Sequence, residues 1–104
     1  MKQSSSIEFL DKLISFDTTS SKSNMNLINY IEEYLLSFGI KSQIIKDKHE
    51  DKANLHAIIG PKDISGIMLS GHTDVVPVAG QSWSTDTFQM EEKEGKLYGR
   101  GSCD

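Results

Sequence analysis

Two stretches hold the residues best suited to chemistry: Gly71-His72-Thr73-Asp74, and the run Leu97-Tyr98-Gly99-Arg100-Gly101-Ser102-Cys103-Asp104. An imidazole can ligate a divalent metal or move a proton, and a carboxylate beside it fixes its tautomer and raises its basicity. In extended backbone His72 and Asp74 share one side, because side chains alternate along a strand. His72 also follows Ile67-Met68-Leu69-Ser70, an apolar run between Gly66 and Gly71 that reads as a buried central strand. Open α/β sheets bind ligands at the carboxyl ends of such strands. Taken alone, His-x-Asp is a common triplet, and a histidine near an apolar strand more often serves structure than metal.

The other candidates are weaker. His49 stands in a charged turn and His56 alternates with Leu55 and Ala57, so both read as structural. Gly99 and Gly101 flank Arg100, which signals a tight backbone path. No Gly-x-x-x-x-Gly-Lys-Ser/Thr is present to cradle a phosphate. Cys103 has no neighbour that marks it as a nucleophile.

These residues must be placed by helices and strands. Ile7, Leu10, Leu13 and Ile14 recur at helical spacing, predicting a helix over residues 6–16, with Ser5 and Glu8 as a capping box. Residues 17–22 form a polar connector. Ser23 or Asn24 can cap a second helix whose stripe is Leu27, Ile28, Ile31, Leu35 and Phe38, ended by Gly39. Strands are expected over residues 40–45 and 54–59, joined by a charged turn at residues 49–52 and stopped by Gly60-Pro61. Residues 88–91 and 96–98 flank Glu92-Lys93-Glu94-Gly95 as a hairpin. The class is α/β: two helices, then strands of a mixed sheet and a hairpin.

Bulk properties exclude several classes. With 104 residues, 37 % hydrophobic and 25 % charged, residues 1–104 make at most one small domain, with no second domain. The net charge is −4 and the basic residues are scattered, so no nucleic-acid partner is expected. No apolar run approaches a membrane span or the core of a signal peptide. The single cysteine fits a reducing compartment, and a cytoplasmic location is expected.

Together the two stretches carry a resemblance. Ser70-Gly71-His72-Thr73-Asp74-Val75-Val76-Pro77-Val78, Gly80-Gln81, Trp83, Asp86, Phe88 and Gly95-Lys96-Leu97-Tyr98-Gly99-Arg100-Gly101-Ser102-Cys103-Asp104 resemble the acetylornithine deacetylase family. This is a branch of the metallopeptidases that also contains succinyl-diaminopimelate desuccinylase and glutamate-releasing carboxypeptidases. Weaker likeness runs through Leu13-Ile14-Ser15-Phe16-Asp17-Thr18, Ser23-Asn24 and Ala53-Asn54-Leu55. Val76-Pro77-Val78, Gly80-Gln81-x-Trp83 and Ser102-Cys103-Asp104 look like the deacetylase version. Thr87 stands where that branch usually has proline, and Ala79 where it has an acidic residue.

The resemblance implies the N-terminal portion of a zinc-peptidase-like catalytic domain, incomplete at Asp104. By it, His72 is a ligand of one metal, Asp104 the carboxylate bridging two, and Asp74 the active-site residue that orients His72. The cofactors implied are two divalent ions, zinc or cobalt. The general-base glutamate and the remaining ligands lie beyond Asp104 in the family, so residues 1–104 alone are expected to bind metal weakly or not at all and to be inactive. The activity implied for the intact family is hydrolysis of N-acetylornithine to ornithine and acetate in arginine biosynthesis, with other N-acyl amino acids or succinyl-diaminopimelate as alternative substrates and a homodimer as the assembly. Other readings are a half-enzyme completed by a separate C-terminal chain, and a non-enzymatic remnant or small interaction protein.

Overall fold

The structure, a computed structural model, describes residues 5–104. Its elements in order are α1 (Ser5–Ile14), α2 (Met25–Leu36), β1 (Ser42–Lys46), β2 (Ala53–Ala57), β3 (Glu91–Lys93) and β4 (Lys96–Tyr98). They fall into two compact units. One holds the described residues up to Lys22 together with Asp74–Asp104, and the other is Ser23–Thr73.

In the first unit, α1 turns Ile14 into the interior at 4 % exposure, with Ile7, Leu10 and Leu13 half-buried along the same stripe. Ser5 already lies inside the helix and so is not its cap. The helix ends at Ile14, short of Phe16, where the amides of Ser15 and Phe16 donate to Lys12 and Leu13 carbonyls in a tightened last turn. The hairpin β3–β4 is antiparallel, with Glu91 opposite Tyr98 and Lys93 opposite Lys96. Glu94 and Gly95 between them have φ of 51° and 76°. Positive φ at both central residues matches a type I′ turn, whose twist suits a two-residue hairpin loop. Glu92 and Lys93 are therefore strand, not turn.

In the second unit, α2 packs on β1 and β2 and buries Leu27 and Ile28, with Ile31 and Leu35 half-buried. Phe38 leaves the stripe and is 66 % exposed, because the chain has already turned out of the helix. The Gly39 amide donates to Leu36 O (2.9 Å) and the Ile40 amide to Leu35 O (3.1 Å), with Gly39 at φ 75°. That pair of bonds is a Schellman motif, and Gly39 stops the helix as expected. β1 and β2 pair antiparallel, from Ser42 opposite Ala57 to Lys46 opposite Ala53.

Two expectations need correction. Ile67-Met68-Leu69-Ser70 belongs to no strand, and Ile67, Met68 and Leu69 are 92, 77 and 93 % exposed. A strand buried on both faces needs hydrogen-bonded neighbours and covering layers, whereas β1 and β2 pair with each other and α2 covers their shared face. The mixed sheet is likewise not formed among the described residues. There are two two-stranded antiparallel sheets and one isolated parallel bridge, Thr19 with Val75.

Candidate functional site

The His-x-Asp segment straddles the boundary between the two units, which falls between Thr73 and Asp74. Each flank is held by its own unit.

On the Thr73 side the anchor is Asn24, the residue just before α2. Its side chain makes no capping bond. Nδ2 instead donates to Ala53 O (2.9 Å), and Oδ1 accepts from the Ala53 amide (2.9 Å), so the carboxamide grips the buried start of β2 like a short strand. Nδ2 also lies 3.1 Å from Thr73 Oγ1 and donates to it. Ser23 Oγ accepts from the Met25 amide (3.1 Å) in the capping role the sequence left open between these two residues. Ser23-Asn24 and Ala53-Asn54, two short stretches of the resemblance, thus meet beside the chain that carries His72. His72 itself is exposed on irregular chain and not at the end of a strand, because the expected strand is absent.

On the Asp74 side the anchor is the connector after α1. The Val75 amide donates to Thr18 O (3.1 Å), the Ser20 amide to Val75 O (3.0 Å), and Ser20 Oγ to Asp74 Oδ2 (3.0 Å). The connector is stiffened from within. Asp17 Oδ1 accepts from the amide (3.1 Å) and hydroxyl (2.6 Å) of Thr19, and Asp17 Oδ2 pairs with Lys22 Nζ. Thr18 and Thr19 are buried. The Lys22 ammonium, and then the Thr19 hydroxyl, hold the Asp17 carboxyl below the usual carboxylate range. A depressed carboxyl adds stability above its unfolded-state value, near pH 4, and loses it as pH falls through the folded-state value. Wild-type protein is therefore expected to melt above Asp17→Asn at pH 6, with the gap closing below about pH 4. Exposure of Lys22 keeps the gap below about 1 kcal/mol. Thermal melts of both proteins between pH 7 and pH 3 check this.

The Gly-Arg-Gly run closes the same unit. A β-carbon on Gly99 would lie 2.9 Å from Ile14 Cγ2, inside contact distance, so only glycine lets the chain pass α1 here. Gly101 has φ 93°, and a β-carbon there would meet Val75 Cγ1 at 3.1 Å and the Asp104 carbonyl oxygen at 3.9 Å. Gly101 thus sits against both the neighbour of Asp74 and the backbone of Asp104. Gly101→Ala is expected to cost about 1–3 kcal/mol of stability from left-handed strain, and to disturb Val75 as well. Urea unfolding of the two chains measures it. Arg100 packs its guanidinium over Trp83 (5.0 Å to the ring centroid), and Gln81 Oε1 accepts from both Arg100 and Trp83 Nε1. Arg100 Nε is buried without a partner among the described residues. This cluster was not read from the sequence, although Gly80-Gln81-x-Trp83 marked its position.

His49 and His56 are exposed, and Cys103 is an exposed free thiol. Among the described residues no three His, Cys, Asp or Glu side chains are gathered as for a metal ion. No helix among them is long and apolar enough to cross a membrane.

The model of peptidase family M20/M25/M40 matches residues 68–104, the stretch that runs from the apolar segment through both motifs. Over that stretch the chain is similar to this family. It is 38 % identical over 91 residues to an acetylornithine deacetylase of Pasteurella multocida, covering 86 % of this chain and 24 % of the relative. It is 41 % identical over 90 residues to the acetylornithine deacetylase of Proteus mirabilis, covering 85 % and 23 %. A probable succinyl-diaminopimelate desuccinylase of Staphylococcus aureus is 40 % identical over 87 residues, covering 83 % and 21 %. The chain spans about a quarter of the length of these curated relatives. The deacetylase and desuccinylase relatives match this chain at nearly equal identity, so identity alone does not choose between them.

Proposed function

We propose that this chain provides one part of the metal site of an M20-type amide hydrolase acting on N-acyl amino acids. The observation that supports it best is the seat of Gly101 against Val75 and the Asp104 backbone. It draws together, within one unit, the two segments carrying Asp74 and Asp104.

The donor set fits a divalent metal in kind. His72 offers an imidazole nitrogen and Asp104 a carboxylate, ligands that suit zinc and cobalt alike. It is short in number, since catalytic zinc takes about three protein ligands and an open position. In the proposed role His72 and Asp104 would hold the metal, and Asp74 would keep the His72 ring in its ligating orientation. Metal bound there would supply a water of lowered pKa and a polarised amide carbonyl. By the resemblance, a glutamate acting as general base and the remaining ligands would come from polypeptide other than residues 1–104. The 104-residue chain assayed alone with zinc or cobalt is expected to show no turnover.

N-acetylornithine is the first substrate to test, because Gly80-Gln81-x-Trp83 and Ser102-Cys103-Asp104 follow the deacetylase version. The Staphylococcus aureus relative favours succinyl-diaminopimelate as the second. The native-length protein, loaded with zinc or cobalt, is assayed on both. A higher kcat/KM on N-acetylornithine supports the deacetylase reading, a higher value on succinyl-diaminopimelate supports the other, and metal-independent or absent hydrolysis of every N-acyl amino acid sinks both.

A further inference from the structure

We infer that Ser20 is a positioning residue for Asp74, reaching it from the connector after α1 across 54 residues of sequence. The inference rests on the proposed role of Asp74 as the residue that orients His72.

Ser20 Oγ is 3.0 Å from Asp74 Oδ2 and 3.2 Å from Val75 O. It has a single proton to donate. The Val75 carbonyl already accepts from the Ser20 amide at 3.0 Å. The ionised carboxylate is the stronger acceptor, and bonds to charged oxygen are about twice as strong as neutral ones. The hydroxyl proton therefore goes to Asp74 Oδ2. Around it the backbone is clamped from both sides, by the Val75 amide on Thr18 O and the Ser20 amide on Val75 O. Ser20 is fixed from behind as well, where the Lys22 amide donates to Thr19 O (2.7 Å) and Asp17 caps Thr19. A short, stiff connector thus sets one oxygen of the Asp74 carboxylate and with it the plane of the group. Residues that hydrogen-bond a metal ligand typically change metal affinity or activity by about 10–100-fold when removed, and Ser20 acts one bond further out, so its effect falls at the low end of that range.

Ser20 is exposed, and its removal to alanine keeps both backbone bonds, so the fold survives the change. The test compares wild type, Ser20→Ala, Ser20→Thr and His72→Ala in the native-length protein. Zinc affinity is read by competition with a chromophoric chelator, and kcat and KM on the best N-acyl amino acid are read beside it. Ser20→Ala is expected to weaken zinc binding and to lower kcat by about tenfold each, with KM within about twofold. Ser20→Thr, which keeps the hydroxyl, returns both to within about threefold of wild type. If His72→Ala loses zinc but Ser20→Ala keeps wild-type affinity and kcat, the inference is overturned and the role of His72 stands. A failure of Ser20→Thr to restore either quantity also overturns it, because the backbone, not the hydroxyl, would then be what matters. If His72→Ala keeps its zinc, the underlying role of the site is wrong and the inference goes with it.

Discussion

Changing His72 to alanine in the native-length protein is expected to lower amide hydrolysis by at least about 10³-fold, since charge stabilisation by a bound metal is worth several kcal/mol and each 1.36 kcal/mol is a factor of ten. The loss should appear in kcat, and the metal content counted by elemental analysis should fall from two ions per chain towards one. Stability should hardly change. His72 is exposed and lies on irregular chain outside every helix and strand, so its removal leaves no cavity. The flanking Thr73 keeps its bond from Asn24, and Val75 keeps its pairing with the connector. This separation of activity from stability is the mark of a ligand, as opposed to a core histidine, whose loss would cost both. Asp74→Asn offers a graded comparison, with a decrease of about 10–100-fold, the range for a residue acting through a ligand. Two metal ions and near-normal turnover in the His72→Ala protein would refute the assignment.

What was legible in the sequence was whatever depends on neighbours. The stripe Leu27, Ile28, Ile31, Leu35 describes α2 because helical packing repeats locally, and Gly39 marks its end because a left-handed residue is needed there. The hairpin at residues 91–98 follows from Glu94-Gly95, a turn pair with its own geometry. His72, Asp74 and Asp104 were proposed from their motifs, and Gly101 seats the Gly-Arg-Gly run against the neighbour of Asp74 and the Asp104 backbone. Ser20 and Asn24 escaped, because their partners lie 54 and 49 residues away and no periodicity links a hydroxyl or a carboxamide to a distant loop. The Asp17-x-Thr19 spacing did carry a local signal for a side-chain-capped turn, and it could have marked the connector as more than a polar link. The strand at residues 67–70 was misread for a different reason. Apolar composition reports what a segment needs, namely cover on both faces, and not whether the described residues provide it. Ile67, Met68 and Leu69 keep that need unmet here.

Ile28→Ala is expected to destabilise the 104-residue chain by about 2–5 kcal/mol, the range for truncating a buried isoleucine. Ile28 is 2 % exposed and is the largest fully buried side chain among the described residues. Within the same unit the other buried apolar residues among those described are Leu27 and Ala53, so little remains to fill the gap. Against a typical total of about 5–15 kcal/mol for a domain, and less in a chain with so thin a core, such a loss is a large share. The consequence should reach the candidate site. The Ile28 amide donates to Asn24 O (3.0 Å), and Asn24 is the residue that ties β2 to Thr73. When α2 loosens on its sheet, that tie loosens with it. Urea unfolding gives the stability change, and hydrogen exchange at the Ala53 amide, which donates to Asn24 Oδ1, reads the tie directly. Faster exchange at Ala53 in mild urea, together with a lowered midpoint, is the expected pair of results. A stability loss under about 1 kcal/mol, well short of the expected range, with Ala53 protected as in wild type, would mean that α2 is held by something other than its buried face.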